Sequence, residues 1–168
     1  RIAGVAAVAG TNDGGLPTAG AADEIHEWDT ARKRRVHLVL FQGVEKRANC
    51  LELNITTPDD ADPDSLLGIM VADAEKVASG EIVDPSFYYL HYGTDPTRNL
   101  LDDEGLVDFD LLLAALKDAT PADWLDDDDL ARRADSLIRK KRPVHEVRRY
   151  WLGAFARGGG HWLPEGAW

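Results

Sequence analysis

Short apolar runs alternate along the chain with loops rich in Gly, Pro and Asp, and their spacing switches between strand and helix periods. Strand-like runs occupy residues 2–9, 18–22, 50–57 and 85–92. Apolar residues at helical spacing predict helices over 31–44 and 65–79. The order strand, helix, strand, helix, strand predicts right-handed parallel crossovers in an α/β sheet.

The second half of the chain changes to helical spacing interrupted by acidic loops. Helices are expected over 108–119, from a cap at 126–129 to Pro143, and over 144–156. The acidic segment 100–105 is expected to be loose, and the three glycines 158–160 to form a hinge-like break. These patterns predict two domains, an α/β part at 1–95 and a helical linker lobe at 96–168.

Length and composition fit a soluble globular protein. The chain has 168 residues, of which 44% are hydrophobic and 29% are charged. No apolar run approaches the roughly 20 residues that span a bilayer, which argues against a membrane protein. The single cysteine, Cys50, excludes an internal disulfide framework and fits a reducing compartment.

The net charge of −11 is unevenly distributed. Residues 51–130 carry 21 acidic and 3 basic side chains, whereas basic side chains cluster at 32–35 and across 132–149. Such an acidic chain is not suited to indiscriminate nucleic-acid binding. Two readings of the basic stretches stay open: they face a phosphate backbone, or they are solvated helix faces.

Two adjacent carboxylates, Asp23 and Glu24, directly follow the predicted strand 18–22. Ligands of open parallel sheets bind at the carboxyl ends of the strands, and neighbouring residues on an extended backbone point to opposite sides. One carboxylate can therefore face a phosphate-bound Mg²⁺ ion while the other faces an attacking water. The alternative is a solvated acidic pair.

The next predicted strand ends in two hydroxyl residues, Thr56 and Thr57, so an acidic pair, a helix and a hydroxyl-tipped strand follow in order. In this order the sequence resembles the large subunit of tailed-phage terminases, the motors that package viral DNA. The matching segments are Ala22-Asp23-Glu24-Ile25-His26-Glu27-Trp28 as the Walker B block, Leu53-Asn54-Ile55-Thr56-Thr57 as the coupling motif, the acidic loop 59–64, and 148–152 with 161–164 as the segment that closes the ATPase region.

The resemblance implies a P-loop-type NTPase core with a parallel sheet, followed by a small helical lobe. Asp23 would orient Mg²⁺ on the phosphates of ATP, Glu24 would activate the attacking water, and Thr56 or Thr57 would sense the γ-phosphate. Without the resemblance, the threonines are a strand end that hydrogen-bonds to nearby backbone. The basic residues proposed to face DNA are Arg32, Lys33, Arg34 and Arg35.

The resemblance also implies partners and a compartment. They are double-stranded viral DNA, a small terminase subunit, a portal protein and further copies in a homo-oligomeric ring, in the cytoplasm of the bacterial host. The phosphate-binding motif Gly-x-x-x-x-Gly-Lys-Ser/Thr does not occur in the sequence, so the Walker A strand is missing from the expected core. We therefore expect the later part of an ATPase domain plus a linker lobe, without the nuclease domain, and an isolated chain that is inactive.

Two other functions fit parts of the pattern. Asp23-Glu24-Ile25-His26 is similar to the DEAH box of helicases, which continue into a second parallel α/β domain with an arginine-rich motif. A non-catalytic acidic α/β module that binds a protein partner is the other alternative. His26 and Glu27 lack the spacing of a zinc protease, so His26 and Trp28 are expected to pack or hydrogen-bond near the acidic pair.

Overall fold

The computed structural model describes Gly4 and residues 16–59 and 62–156. The chain divides into two compact units, Arg1–Thr57 with Pro63–Ile82 and Pro58–Asp62 with Val83–Trp168. Apart from Gly4, the predicted strand 2–9 lies outside the described residues, as do most of the loop 10–17 and the tail 158–168. No described helix is both long enough and apolar enough to cross a bilayer.

The described part of the first unit contains a small parallel sheet of two strands, β1 (Ala19–Asp23) and β2 (Leu51–Ile55). The pairing runs from Ala19 opposite Leu51 to Asp23 opposite Ile55. The predicted parallel crossover between these two strands is therefore confirmed, and the fold is a mixed α/β structure with five α-helices among the described residues. The P-loop-type core stays a prediction.

Helix α1 (Ala31–Glu45) connects the strands and covers one face of the sheet. It begins at Thr30, whose hydroxyl oxygen accepts a hydrogen bond from the Lys33 backbone N–H. Gly20 lets the helix approach closely, since a Cβ at this position would lie 2.9 Å from a ring carbon of Phe41. The packing of α1 buries Ala22 at the end of β1, which anchors the acidic pair that follows it.

Helix α2 (Leu66–Ser79) also belongs to the first unit. Its first turn is capped by Ser65, which accepts from the Gly68 N–H, and it ends at Gly80 in the left-handed conformation with φ of 79°. Only Gly adopts that conformation without steric cost, which is why this residue ends the helix as predicted.

The second unit is built around three helices, α3 (Phe109–Ala119), α4 (Asp127–Arg139) and α5 (Val144–Tyr150). Asp108 caps α3, and Asp126 and Asp129 form a capping box at the start of α4. The buried core comprises Leu100, Leu112, Ala115, Leu116, Ala119, Ala134, Leu137, Val147 and Leu152. The predicted helical character of this part is thus confirmed.

Two predicted elements in this unit are wrong. Residues 85–92 form no strand among the described residues, because Asp84 accepts from both the N–H and the hydroxyl of Ser86 in a turn and no neighbouring strand pairs with the segment. The last helix ends at Tyr150 rather than at residue 156. Gly153 follows in the left-handed conformation, and the Leu152 carbonyl accepts from the Thr94 N–H instead of continuing a helix.

The acidic segment 100–105 is ordered rather than loose. Leu100 is fully buried, and Leu101 forms an antiparallel bridge with Val107. The Asp102 carboxylate closes the intervening turn by accepting from the Glu104 and Leu106 backbone N–H groups. Charge composition alone predicts a loose loop, because it takes no account of the buried Leu100 side chain that anchors the segment.

Candidate functional site

The acidic pair and the threonines lie at the same edge of the sheet. Asp23 is the last residue of β1, and Glu24 follows it. Thr56 and Thr57 directly follow β2, which ends at Ile55 opposite Asp23. Because the two strands are parallel, their carboxyl ends meet, and all four residues singled out from the sequence are brought to one place.

His26 connects the two groups. Its Nδ1 atom lies 2.9 Å from the Thr56 Oγ1, 3.2 Å from the Glu24 Oε2 and 3.4 Å from the Thr57 Oγ1. Its Nε2 atom lies 3.4 Å from the Glu27 Oε1. The His26 backbone N–H also donates to the Thr56 Oγ1, at 3.1 Å. The His26 side chain, which is only 8% exposed, thus connects a carboxylate after the end of β1 to a hydroxyl after the end of β2.

The hydrogen bonds of Thr56 show that the Nδ1 atom of His26 carries a hydrogen. The Thr56 hydroxyl donates its single hydrogen to the Thr57 carbonyl oxygen at 2.8 Å, so toward His26 it acts as an acceptor. Glu24, the other partner of Nδ1, also accepts when ionised. Nδ1 therefore carries a hydrogen that it donates to the Thr56 hydroxyl oxygen, with the Glu24 carboxylate in close polar contact with the same nitrogen.

Glu24 adopts a left-handed backbone conformation with φ of 53° and ψ of 52°. For a residue with a Cβ this conformation costs about 1–2 kcal/mol. It starts the short 3-10 helix Ile25–Glu27, which turns His26 back toward β2. Strained backbone of this kind is concentrated at functional sites, and the sequence offers no local pattern that reveals it.

Asp23 is exposed and is held by its own neighbours. Its Oδ1 accepts from the Glu24 backbone N–H at 2.9 Å, and its carbonyl oxygen accepts from the Trp28 indole at 3.0 Å. No group of three or more metal-ligating side chains occurs in the described part of the chain. Mg²⁺ in nucleotide sites is held by one or two carboxylates together with phosphates and water, so a single exposed carboxylate fits that donor set.

The basic stretch at the start of α1 is partly engaged within the first unit. The Lys33 ammonium donates to the Glu27 carbonyl oxygen at 2.6 Å, and Arg34 donates to the Asp64 carbonyl oxygen at 2.7 Å. Arg32 and Arg35 are exposed and have no ion pair with the described residues. Their assignment to DNA stays a prediction.

Two further polar contacts were missed by the sequence reasoning. The buried His37 on α1 lies with its Nε2 3.0 Å from the Asn54 Oδ1 on β2, and the Trp28 ring meets it edge-on at 6.0 Å. The Asp29 carboxylate accepts from the Leu66 backbone N–H at 2.8 Å and so joins the loop before α1 to the start of α2. Both contacts link residues far apart in sequence, which no local spacing encodes.

Comparisons of the chain with protein-family models, with curated proteins and with solved structures find no match. The function is therefore argued from the residues and their geometry.

Proposed function

We propose that this chain is the later part of the ATPase domain, with the linker lobe, of a terminase-like motor subunit that drives double-stranded viral DNA into a procapsid. The observation that carries the proposal is the bridge from Glu24 through His26 to Thr56 at the carboxyl edge of two parallel strands. A site that reports the presence of a phosphate requires such a link between the catalytic carboxylate and the neighbouring strand. The link adds to the backbone hydrogen bonds of Thr56, which a strand end makes in either case.

In the proposed reaction, water attacks the γ-phosphorus of ATP in line with the bond to ADP, and that bond breaks. Glu24 accepts the proton of the attacking water, and Asp23 orients the phosphate end of the nucleotide. When bound, Mg²⁺ would neutralise part of the negative charge of the phosphates. Both carboxylates are exposed, as an incoming ligand requires.

The bridge through His26 supplies the coupling. The His26 Nδ1 atom donates to the Thr56 hydroxyl oxygen at 2.9 Å and lies 3.2 Å from the Glu24 carboxylate, so one imidazole nitrogen positions both groups. A movement of the Thr56 side chain on loss of the γ-phosphate therefore alters the orientation of Glu24. A movement of Glu24 likewise shifts Thr56. His26 is thus a positioning residue rather than a group that reacts.

The helicase alternative shares the Asp-Glu-x-His pattern but requires a second parallel sheet. The described part of the second unit contains three helices and a single antiparallel bridge, which favours the motor over the helicase. In the alternative of a non-catalytic protein-binding module, Glu24 has no catalytic role. An experiment on Glu24 therefore distinguishes this alternative from the motor.

The deciding experiment replaces Glu24 by Gln in the full-length protein and measures steady-state ATP turnover and nucleotide affinity. Loss of the proton acceptor is expected to reduce kcat by about 100-fold or more with little change in affinity. Glu27→Gln is the matched control, because this carboxylate lies on the other nitrogen of His26 and is 65% exposed. Unchanged turnover in Glu24→Gln would favour the non-catalytic module.

A further inference from the structure

The second unit contains a basic pocket that the proposed ATP site does not use. Its volume is about 310 Å³. Its polar and aromatic lining comprises the cations Arg132, Arg133, Lys140 and Arg142, together with Ser136, Trp151 and one carboxylate, Asp129. All of them belong to the second unit, so the pocket is formed within one compact body.

Two structural features bring these cations together. Arg133, Ser136 and Lys140 are three or four residues apart and therefore share one side of α4 and its end. After α4 the chain reverses at Lys141, which has a φ of 49°, and the Arg142 N–H donates to the Leu137 carbonyl oxygen. This reversal places the Arg142 guanidinium 5.9 Å from the centre of the Trp151 ring.

The nearby carboxylates do not neutralise the pocket, since four cations line it and one carboxylate, Asp129, does. Arg132 is paired with Asp129, and Arg142 lies 3.6 Å from Glu146. Arg133 and Lys140 have no carboxylate within 4.0 Å in the part of the chain that the structure describes. Residues 132–149 hold 8 of the 19 lysines and arginines of the chain and only two acidic residues, Asp135 and Glu146.

Solvated basic residues at a helix end are common, because they suit the negative end of the helix dipole. That explanation covers Lys140 at the end of α4, but it does not explain why Arg142 returns from beyond the helix to the same cavity. It also does not explain a local excess of positive charge in a chain with a net charge of −11. Convergence of cations from two segments is typical of an anion site.

We propose that this pocket binds phosphate groups of the backbone of double-stranded DNA. Guanidinium forks and an ammonium group are the side chains that bind phosphate, and their exposure keeps the desolvation cost of binding low. The Arg142 guanidinium lies over the Trp151 ring, so the ring does not stack on a base. Recognition is therefore by charge and does not depend on base sequence. The phosphate chemistry stands on the pocket alone, whereas the choice of duplex DNA rests on the proposed motor function.

The test measures binding of the 168-residue chain to a fluorescein-labelled 30-base-pair duplex of mixed sequence at several salt concentrations. The pocket variant is R133Q/K140Q, and the matched control is R139Q/K141Q, which removes the same charge from neighbouring residues outside the pocket. All four side chains are exposed, and circular dichroism and thermal unfolding verify that both variants keep the fold. Unlabelled ATP and inorganic pyrophosphate serve as competitors.

The pocket variant is expected to bind the duplex at least about tenfold more weakly at 0.1 M salt, with a log–log salt slope reduced by about two, as for two lost phosphate contacts. The control is expected to change much less. Equal weakening of both variants, or no change in either, overturns the proposal. Displacement of the duplex by micromolar ATP or pyrophosphate would assign the pocket to a free phosphate compound and overturn the DNA assignment.

The duplex-binding measurement and the ATP-turnover measurement can fail separately. Glu24→Gln with unchanged turnover would refute the motor function without changing duplex affinity. A duplex that binds wild type and pocket variant alike would refute the pocket while leaving the ATPase proposal intact.

Discussion

The Nδ1 atom of His26 lies 2.9 Å from the hydroxyl oxygen of Thr56, thirty residues further along the chain. This hydrogen bond joins the loop after β1 to the loop after β2, and Glu24 shares the same imidazole nitrogen at 3.2 Å. The candidate catalytic carboxylate and the candidate phosphate sensor therefore lie against the same imidazole nitrogen. Substitutions of His26 distinguish a role in positioning Glu24 from a purely structural role.

We expect His26→Ala to lower kcat for ATP in the full-length protein with a much smaller effect on KM. The reason is that, in the proposed site, His26 positions Glu24 and is not itself a nucleotide ligand. His26→Asn places an amide near the position of Nδ1 and should restore part of the lost kcat. If both variants raise KM alone, or if Asn performs no better than Ala at equal stability, His26 does not position Glu24.

The backbone of Glu24 predicts an inverted order of stability between two substitutions. At an ordinary position Gly is less stable than Ala by roughly 0.5–1 kcal/mol. At the left-handed conformation of Glu24, Gly avoids the strain that Ala retains, so Glu24→Gly should be more stable than Glu24→Ala by about 1 kcal/mol. Both variants lack the carboxylate, so their difference reports the backbone alone. Chemical denaturation of the 168-residue chain measures it, and a more stable Ala variant would contradict the strained geometry.

The contact between β1 and α1 predicts a face-dependent response to a larger residue. Gly20→Val should destabilise the first unit by about 1–3 kcal/mol, because the new side chain meets the ring of Phe41 and a methyl group of Val44. Ala21→Val, on the exposed face of the same strand, is the control and should be close to neutral. Thermal unfolding of the two variants compares them directly. Equal destabilisation would indicate that α1 does not pack on this face.

Acid should weaken the start of α4. The hydrogen bond from the Asp126 backbone N–H, and then that from the Arg132 guanidinium, lower the pKa of the Asp129 carboxyl. A lowered pKa in the folded state means that the folded protein holds this proton less tightly than the unfolded chain does. The stabilisation is therefore complete above the unfolded pKa, about 4, and is lost as the pH falls through the lower folded value.

Asp129→Asn should accordingly lower the melting temperature at pH 7, and the difference from wild type should shrink below about pH 4. Asp128→Asn removes a carboxylate from the same helical turn without breaking a hydrogen bond within the described residues, and it serves as the control. A difference that persists unchanged at acid pH would show that the charge of Asp129 does not stabilise the helix.

The elements that the sequence predicted best are those with their own start and stop signals. Thr30, Ser65, Asp108 and Asp126 each cap the helix that was expected to follow, and Gly80 ends α2 where expected. The errors fall on segments whose structure depends on distant partners. The aromatic run 85–92 has strand composition but pairs with no strand in the part of the chain that the structure describes, and the end of α5 is determined by Gly153 and its neighbours.

By itself, the sequence determined the order of the two described strands and the five α-helices, the caps, and the placement of an acidic pair and two hydroxyls at strand ends, because these depend on residues within a few positions of each other. Only the tertiary structure decided that His26 bridges Glu24 and Thr56, that Glu24 is strained, and that Arg142 returns to the side of α4. Those features arise from strand register and from chain reversals. Both are set by packing between segments that no local pattern of residues records.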